Sequence, residues 1–261
     1  MPKAQIHFFS ATGNSQLAAE VVSSGLKKAG WQVSLKDIRT MDIIKEAENL
    51  AAADLIGFVF PTYAFRAAIP MEKHLIGLPP ATRPTPVFLV ATFAGYLDRG
   101  FMRVRDFLVA KNYIPILTKT LVCEDSWTVV RVPCLIYDKG WPTNRSLEEL
   151  REFARNEIPR AWMENRDSPN DCVSWVPWNP ITFIAATFPL AVRKGTQFPI
   201  FVRKSLCVRC GACVRQCPMK RLRLDPFPKA QGECVGCYGC INCCPKDAIN
   251  TWFTNGRVRY R

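Results

Sequence analysis

The sequence predicts an α/β protein, a doubly wound parallel five-stranded sheet followed by a small α+β module dense in cysteine. Three observations predict it. Short apolar runs alternate with amphipathic stretches through the first half of the chain, as strands and helices do in βαβ units. Of the 12 cysteines among 261 residues, nine lie between Cys207 and Cys244. Charge divides at the same place: residues 190–261 carry 14 Lys/Arg and 3 Asp/Glu, the first 189 carry 21 and 19. Such a shift marks a boundary between modules. The expected division is 1–172 for the sheet domain, 173–197 for an apolar, proline-rich connection, and 198–261 for the cysteine module.

Taken in order, Ile6–Phe9 is the first buried-strand candidate. A helix follows on which Leu17, Ala18, Val21, Val22 and Leu26 line one face. Trp31, Val33 and Leu35 alternate with polar residues, as an edge strand does. Leu55–Phe60 and Val87–Ala91 are continuous apolar runs suited to strands buried on both faces, and Ile116–Val122 is a weaker fifth strand. Phe101, Val104, Phe107 and Leu108 line a further helix. Ser146 and Glu149 form a capping-box pattern opening a helix through Leu150, Phe153 and Ala154. Ile181–Val192 is an apolar run interrupted by Pro189, well short of the roughly 20 residues a membrane-spanning helix needs. A packed connection over 178–200 is therefore expected. Flanking tryptophans and Arg193-Lys194 keep a membrane-surface role as the alternative. Met1–Gln5 shows no signal-peptide pattern, so a cytoplasmic location is expected, where cysteines seldom form structural disulfides.

In such sheets ligands sit at the carboxyl ends of the strands. The first such loop is Ser10-Ala11-Thr12-Gly13-Asn14-Ser15, between a strand and a helix. Its hydroxyls and the backbone N–H groups of the helix N-terminus suit a phosphate. No lysine follows the glycine and no GxGxxG is present, which disfavours nucleoside triphosphates and NAD. A helix cap explains the loop equally well on its own. The next two loops, Pro61-Thr62-Tyr63-Ala64-Phe65 and Thr92-Phe93-Ala94-Gly95-Tyr96, add aromatic rings at two further strand ends. A planar cofactor with a phosphate tail fits the three together; ordinary core or rim aromatics remain the alternative.

The stretch Phe8–Ser15 resembles the FMN-phosphate loop of flavodoxins, and residues 4–125 resemble that family in order. The resemblance implies FMN, with Ser10, Thr12, Gly13, Asn14 and Ser15 holding its phosphate. Thr62, Tyr63, Thr92, Phe93 and Gly95 would border its ring.

The cysteines form a repeat. The run Cys207-x2-Cys210-x2-Cys213-x3-Cys217-Pro218 recurs further along as Cys234-x2-Cys237-x2-Cys240-x3-Cys244-Pro245. This is the bacterial ferredoxin run CxxCxxCxxxCP, whose fourth cysteine ligates the other cluster. Two [4Fe-4S] clusters follow, one on Cys207, Cys210, Cys213 and Cys244, the other on Cys234, Cys237, Cys240 and Cys217. Zinc is the rival for any CxxC pair, but a zinc site wants two pairs and not a triple with a distant partner. Cys243 reads as a packed bystander, and Cys123, Cys134 and Cys172 as buried thiols. His7 and His74 have no nearby carboxylate or nucleophile and default to structural roles.

The whole chain resembles proteins that fuse a flavodoxin-like region to a two-cluster ferredoxin. That resemblance implies an electron-transfer flavo-iron–sulfur protein working with a partner oxidoreductase. Two other readings stay open: an FMN-dependent reductase of a small molecule, and a redox-sensing or interaction protein whose flavodoxin half is empty. No catalytic residues stand out. With about −4 from two oxidised clusters and their thiolates, the C-terminal module keeps a net charge near +7. Lys220, Arg221 and Arg223 would then steer an acidic redox protein or oxidoreductase subunit toward it. Contact with an anionic membrane surface is a lesser possibility, and no motif supports nucleic acid.

Overall fold

The computed structural model describes residues 1–41, 50–63, 66–94, 100–124, 126, 140–165, 167, 170–173 and 200–251. β1 (Lys3–Phe8) leads into α1 (Asn14–Lys28), followed by β2 (Gln32–Asp37) and β3 (Leu55–Tyr63). β4 (Arg66–Ala67) folds back on the end of β3 and leads into α2 (Ile69–Gly77). Then come β5 (Thr85–Phe93), α3 (Gly100–Val109) and β6 (Tyr113–Val122), and after them α4 (Asn144–Glu152). A π-helical turn over Phe153–Glu157 joins α4 to α5 (Ile158–Asn165).

The strands lie side by side as β2-β1-β3-β5-β6, every pair parallel. Counting these five in chain order gives 2-1-3-4-5, the flavodoxin-like doubly wound arrangement. β3 and β5 are central and buried almost end to end, which is why they read as unbroken apolar runs. β2 stands at the edge and is only partly buried, as its alternating sequence requires. One core packs Phe9, Phe58, Phe60, Met71 and Leu89 beneath α2 and α3; the other packs Ile6, Val22, Leu26, Phe88 and Phe153 beneath α1 and the π turn. Gly57 makes the second of these possible. A Cβ there would lie 2.1 Å from Phe88 Cζ, so the fully buried ring fits only over a bare backbone.

Two sequence expectations change. Leu17 is 37% exposed; Ser15 and Ala19 take the inward positions of α1 beside Ala18, Val22 and Leu26. The helix after residue 140 starts earlier than the capping-box pattern suggests. Thr143 is its N-cap, accepting a hydrogen bond from Ser146 N at 3.1 Å. Glu149 instead pairs with Arg145 on the exposed face.

The C-terminal module is built on short elements. β7 (Phe201–Val202) pairs antiparallel with β10 (Ile249–Asn250), and β8 (Leu222–Asp225) with β9 (Phe227–Ala230). Two short helices, α6 (Ala212–Gln216) and α7 (Gly239–Asn242), complete it. Its own small core holds Leu222, Tyr238, Ile241, Ala248 and Ile249 with cysteines among them. Among the described residues no helix is long and apolar enough to cross a membrane. The expected packed connection over 178–200 falls almost wholly outside the described residues.

Candidate functional site

The backbone of the cysteine module repeats as faithfully as its sequence. Positive φ values occur at Arg209 and Gly211 in the first run and at Gly236 and Tyr238 in the second. They recur at Lys220 and Asp247, just after Cys217 and Cys244. Arg209 thus corresponds to Gly236, Gly211 to Tyr238 and Lys220 to Asp247, in the same register as the cysteines. Left-handed residues on either side of the middle cysteine coil the run tightly and turn its side chains inward.

The coils enclose two cavities. Cys207, Cys210, Cys213 and Cys244 line one, and Cys217, Cys234, Cys237 and Cys240 line the other. In each, three cysteines come from one run and the fourth from the other, as the repeat implies. The cavity volumes are about 20 and 30 Å³. Among the described residues no group of His, Cys, Asp or Glu is arranged to hold a single metal ion. Ala248 N donates to Cys244 Sγ at 3.2 Å and Gly236 N to Cys234 Sγ at 3.3 Å. Burial pushes the Cys237 thiol up to about 12 and raises Cys213 and Cys240 as well. Iron reverses that preference, because a coordinating thiol is deprotonated outright. Cys243 lines neither cavity; its thiol donates to Cys240 O at 3.6 Å. Cys123 is buried as expected, but Cys172 is exposed, and Cys134 lies outside the described residues.

The hydroxyl loop sits at the carboxyl end of β1. Gly13 has φ +107° and caps α1, with no side-chain cap and no acidic residue in the first turn. The helix's own first turn thus offers no negative charge to the positive end of its dipole. Ser10 Oγ accepts from Gly13 N at 3.1 Å, drawing the loop tight. Ser15 Oγ and Thr92 Oγ1 are 2.6 Å apart and buried, so the loop is tied to the end of β5. Asn14 Nδ2 donates to Glu124 O at 3.4 Å, and Thr12 is half-buried. The structure therefore brings Ser10, Thr12, Gly13, Asn14, Ser15 and Thr92 to one place.

Thr62, Tyr63, Thr92 and Phe93 are strand residues and not loop residues. β5 runs on to Phe93 because its ladder with β6 continues to Val122, and β3 runs on to Tyr63 because β4 pairs with it. Thr62 Oγ1 reaches Thr92 O at 3.5 Å, joining the two strand ends. Gly95 and the tip at residues 64–65 lie outside the described residues. The hairpin is held by a fork absent from the sequence reading: Arg66 donates to both carboxylate oxygens of buried Glu72, at 3.0 and 2.8 Å.

A further feature concerns how the halves meet. Gln216 Nε2 donates to Ala11 O, in the hydroxyl loop, at 2.6 Å. Asn242 Nδ2 donates to Ser126 O at 3.0 Å, and Lys73 pairs with Glu233 at 2.6 Å. Val235 and Cys237 belong to the same apolar cluster as Phe9, Ala11, Ala67, Ala68 and Ile69. The quartet containing Cys237 is thus proximal to the sheet. The quartet containing Cys210 is distal, with Cys210, Leu206 and Val208 exposed.

Residues 199–250 match the family of 4Fe-4S dicluster domains. The chain joins a flavodoxin-like fold to a 4Fe-4S dicluster domain. Comparison with curated proteins yields no match. Among solved structures, an archaeal flavodoxin is 14% identical, with 61% of this chain and 98% of that one covered and a TM-score of 0.45. The flavodoxin of Streptococcus pneumoniae TIGR4 is 21% identical, with 60% and 99% covered and a TM-score of 0.43. Rubredoxin oxygen:oxidoreductase from Desulfovibrio gigas is 16% identical, with 64% and 37% covered and a TM-score of 0.45. The fold assignment rests on the strand order itself. The dicluster module wraps its cysteines for iron–sulfur clusters, and the flavodoxin-like half presents its loops toward it.

Proposed function

We propose that this is an electron-transfer flavo-iron–sulfur protein that relays electrons between FMN and two [4Fe-4S] clusters, to or from a partner oxidoreductase. The observation that supports this reading most is the seam: the proximal quartet is packed on the hydroxyl loop through Gln216 and Cys237. A relay needs its cofactors adjacent, and the seam sets the proximal quartet beside that loop. When bound, flavin supplies two-electron exchange and each cluster one-electron exchange. The chain supplies the rest. Ser10, Thr12, Gly13, Asn14 and Ser15, with the N-terminus of α1, suit a terminal phosphate. Thr62, Tyr63, Thr92 and Phe93, at the ends of β3 and β5, would border its ring. The two cysteine quartets would hold the clusters, with backbone N–H donors on Cys234 and Cys244 tuning them.

The partner we propose is an acidic redox protein or oxidoreductase subunit docking over the distal quartet. Exposed Leu206 and Val208 are flanked there by Arg203, Lys204 and Arg209, with no acidic residue between 200 and 224. Rising salt should slow the exchange, because exposed charges are screened within about 10 Å at 0.1 M. A rate independent of salt would dismiss this docking.

Anaerobic purification followed by metal, sulfide and flavin analysis tests the main reading. We expect about eight iron and eight sulfide per chain, the content of two four-iron clusters, and one FMN. Zinc, a single cluster, or FAD in place of FMN would refute it.

A further inference from the structure

The internal repeat changes in charge at three positions that line a cluster cavity: Arg209 stands against Gly236, Lys246 against Met219, and Arg221 against Ala248. The register that sets Cys217 against Cys244 also sets Lys220 against Asp247, Arg221 against Ala248 and Leu222 against Ile249. Lys220 and Asp247 share a left-handed backbone, and Leu222 and Ile249 share the buried core. Arg221 and Ala248 are therefore structural equivalents. Ala248 lines the distal cavity and offers only its backbone N–H, to Cys244 Sγ. Arg221 lines the proximal cavity with Cys217, Cys234, Cys237 and Cys240. Its Nε is buried, and among the described residues no protein atom accepts from it.

A buried guanidinium N–H without an acceptor is costly, and Arg does not shed its charge. A group filling the cavity that Arg221 lines would supply that acceptor. A [4Fe-4S] cluster with four thiolates carries net negative charge and presents sulfur on every face, so it supplies both the acceptor and the counter-charge. At the matching position the distal quartet has Ala248, and the cations that line its cavity, Arg209 and Lys246, come from other positions of the repeat.

We infer that Arg221 tunes the proximal cluster, raising its reduction potential relative to the same quartet without that cation. This rests on the two-cluster reading above. Adding one electron makes a cluster more negative by one charge, and a nearby fixed cation stabilises that reduced form. One electron enters the proximal cluster from a donor and one leaves it for an acceptor, so the step balances without protons or bond changes.

The test is an EPR-monitored redox titration of the intact, fully loaded protein, with iron and sulfide counted first. In Arg221→Gln one of the two midpoints should fall and the other should hold. The expected fall is at least about 59 mV for a one-electron couple, which is a tenfold rise in the oxidised-to-reduced ratio at fixed potential. Arg221→Lys, which keeps the charge, should give a smaller fall and covers the case where the Gln variant does not assemble. A loaded protein whose midpoints both stay put, or both move equally, overturns the role of Arg221 alone. A wild-type protein with fewer than two clusters overturns the reading beneath it.

Discussion

Acidification should destabilise the sheet domain through one buried pair. His7 in β1 is fully buried, and its Nδ1 lies 2.8 Å from Nε2 of His74 in α2. The rings meet edge to face, with Phe58 edge-on to His7. Burial holds both imidazoles neutral: His74 is pushed down to about 4, and His7 well below the usual range, where the charges of His74 and Lys36 add to burial. In the unfolded chain each takes up a proton near pH 6.5. The unfolded state therefore binds more protons below that value, and stability falls as pH falls through it toward the folded values. At pH 5.5 each unfolded imidazole gains about 1.4 kcal/mol from protonation, so the pair costs about 3 kcal/mol relative to pH 7.5. That is a large share of the roughly 5–15 kcal/mol typical of a domain. Anaerobic guanidinium unfolding at pH 7.5, 6.5 and 5.5, followed by tryptophan fluorescence, reads it directly. His74→Gln should remove roughly half of the pH dependence, since one imidazole then remains. A flat profile, or an unchanged slope in that variant, would refute the argument.

Three further outcomes are expected. Gly57→Ala should cost about 1–3 kcal/mol by overpacking against Phe88, and Phe88→Leu in the same chain should recover part of it, both read from unfolding midpoints. Cys213→Ser should damage the distal cluster and Cys240→Ser the proximal one, visible as loss of one EPR component and not both. Thr12→Ala with Asn14→Ala should strip the flavin on gel filtration while leaving iron content unchanged, since the loop and the cysteines are separate donors.

Much of this architecture is legible in the sequence because it depends on local signals. The cysteine repeat fixes which four thiols share a cavity. The apolar runs of β3 and β5 mark central strands because burial on both faces leaves no room for polar residues. What stays hidden depends on partners far along the chain. Arg66 and Ala67 form β4 only because Thr62 and Tyr63 are there to pair with, and so short a strand carries no periodicity. Gln216 looks like any polar helix residue until Ala11, from the other end of the chain, is found against it. His7 and His74 look unpaired, since neither carries a sign of the other. Arg221 is legible as a cation among cations; only the fold turns it inward and sets it against Ala248.

The shared apolar cluster at the seam bears on how the protein matures. Ala11, Ala67, Ala68 and Ile69 are covered by Val235 and Cys237 only once the cysteine module is seated. A newly made chain without iron has two quartets of thiols around unfilled cavities, so that module is held only by its small core and the seam contacts. Its half-finished surface is a greasy face of the kind chaperones and proteases recognise. Iron supply would then set the lifetime of the whole polypeptide and not of its C-terminal part alone. Limited proteolysis should cut the sheet domain of apo protein faster than that of loaded protein, and equal rates would show that this domain finishes without help.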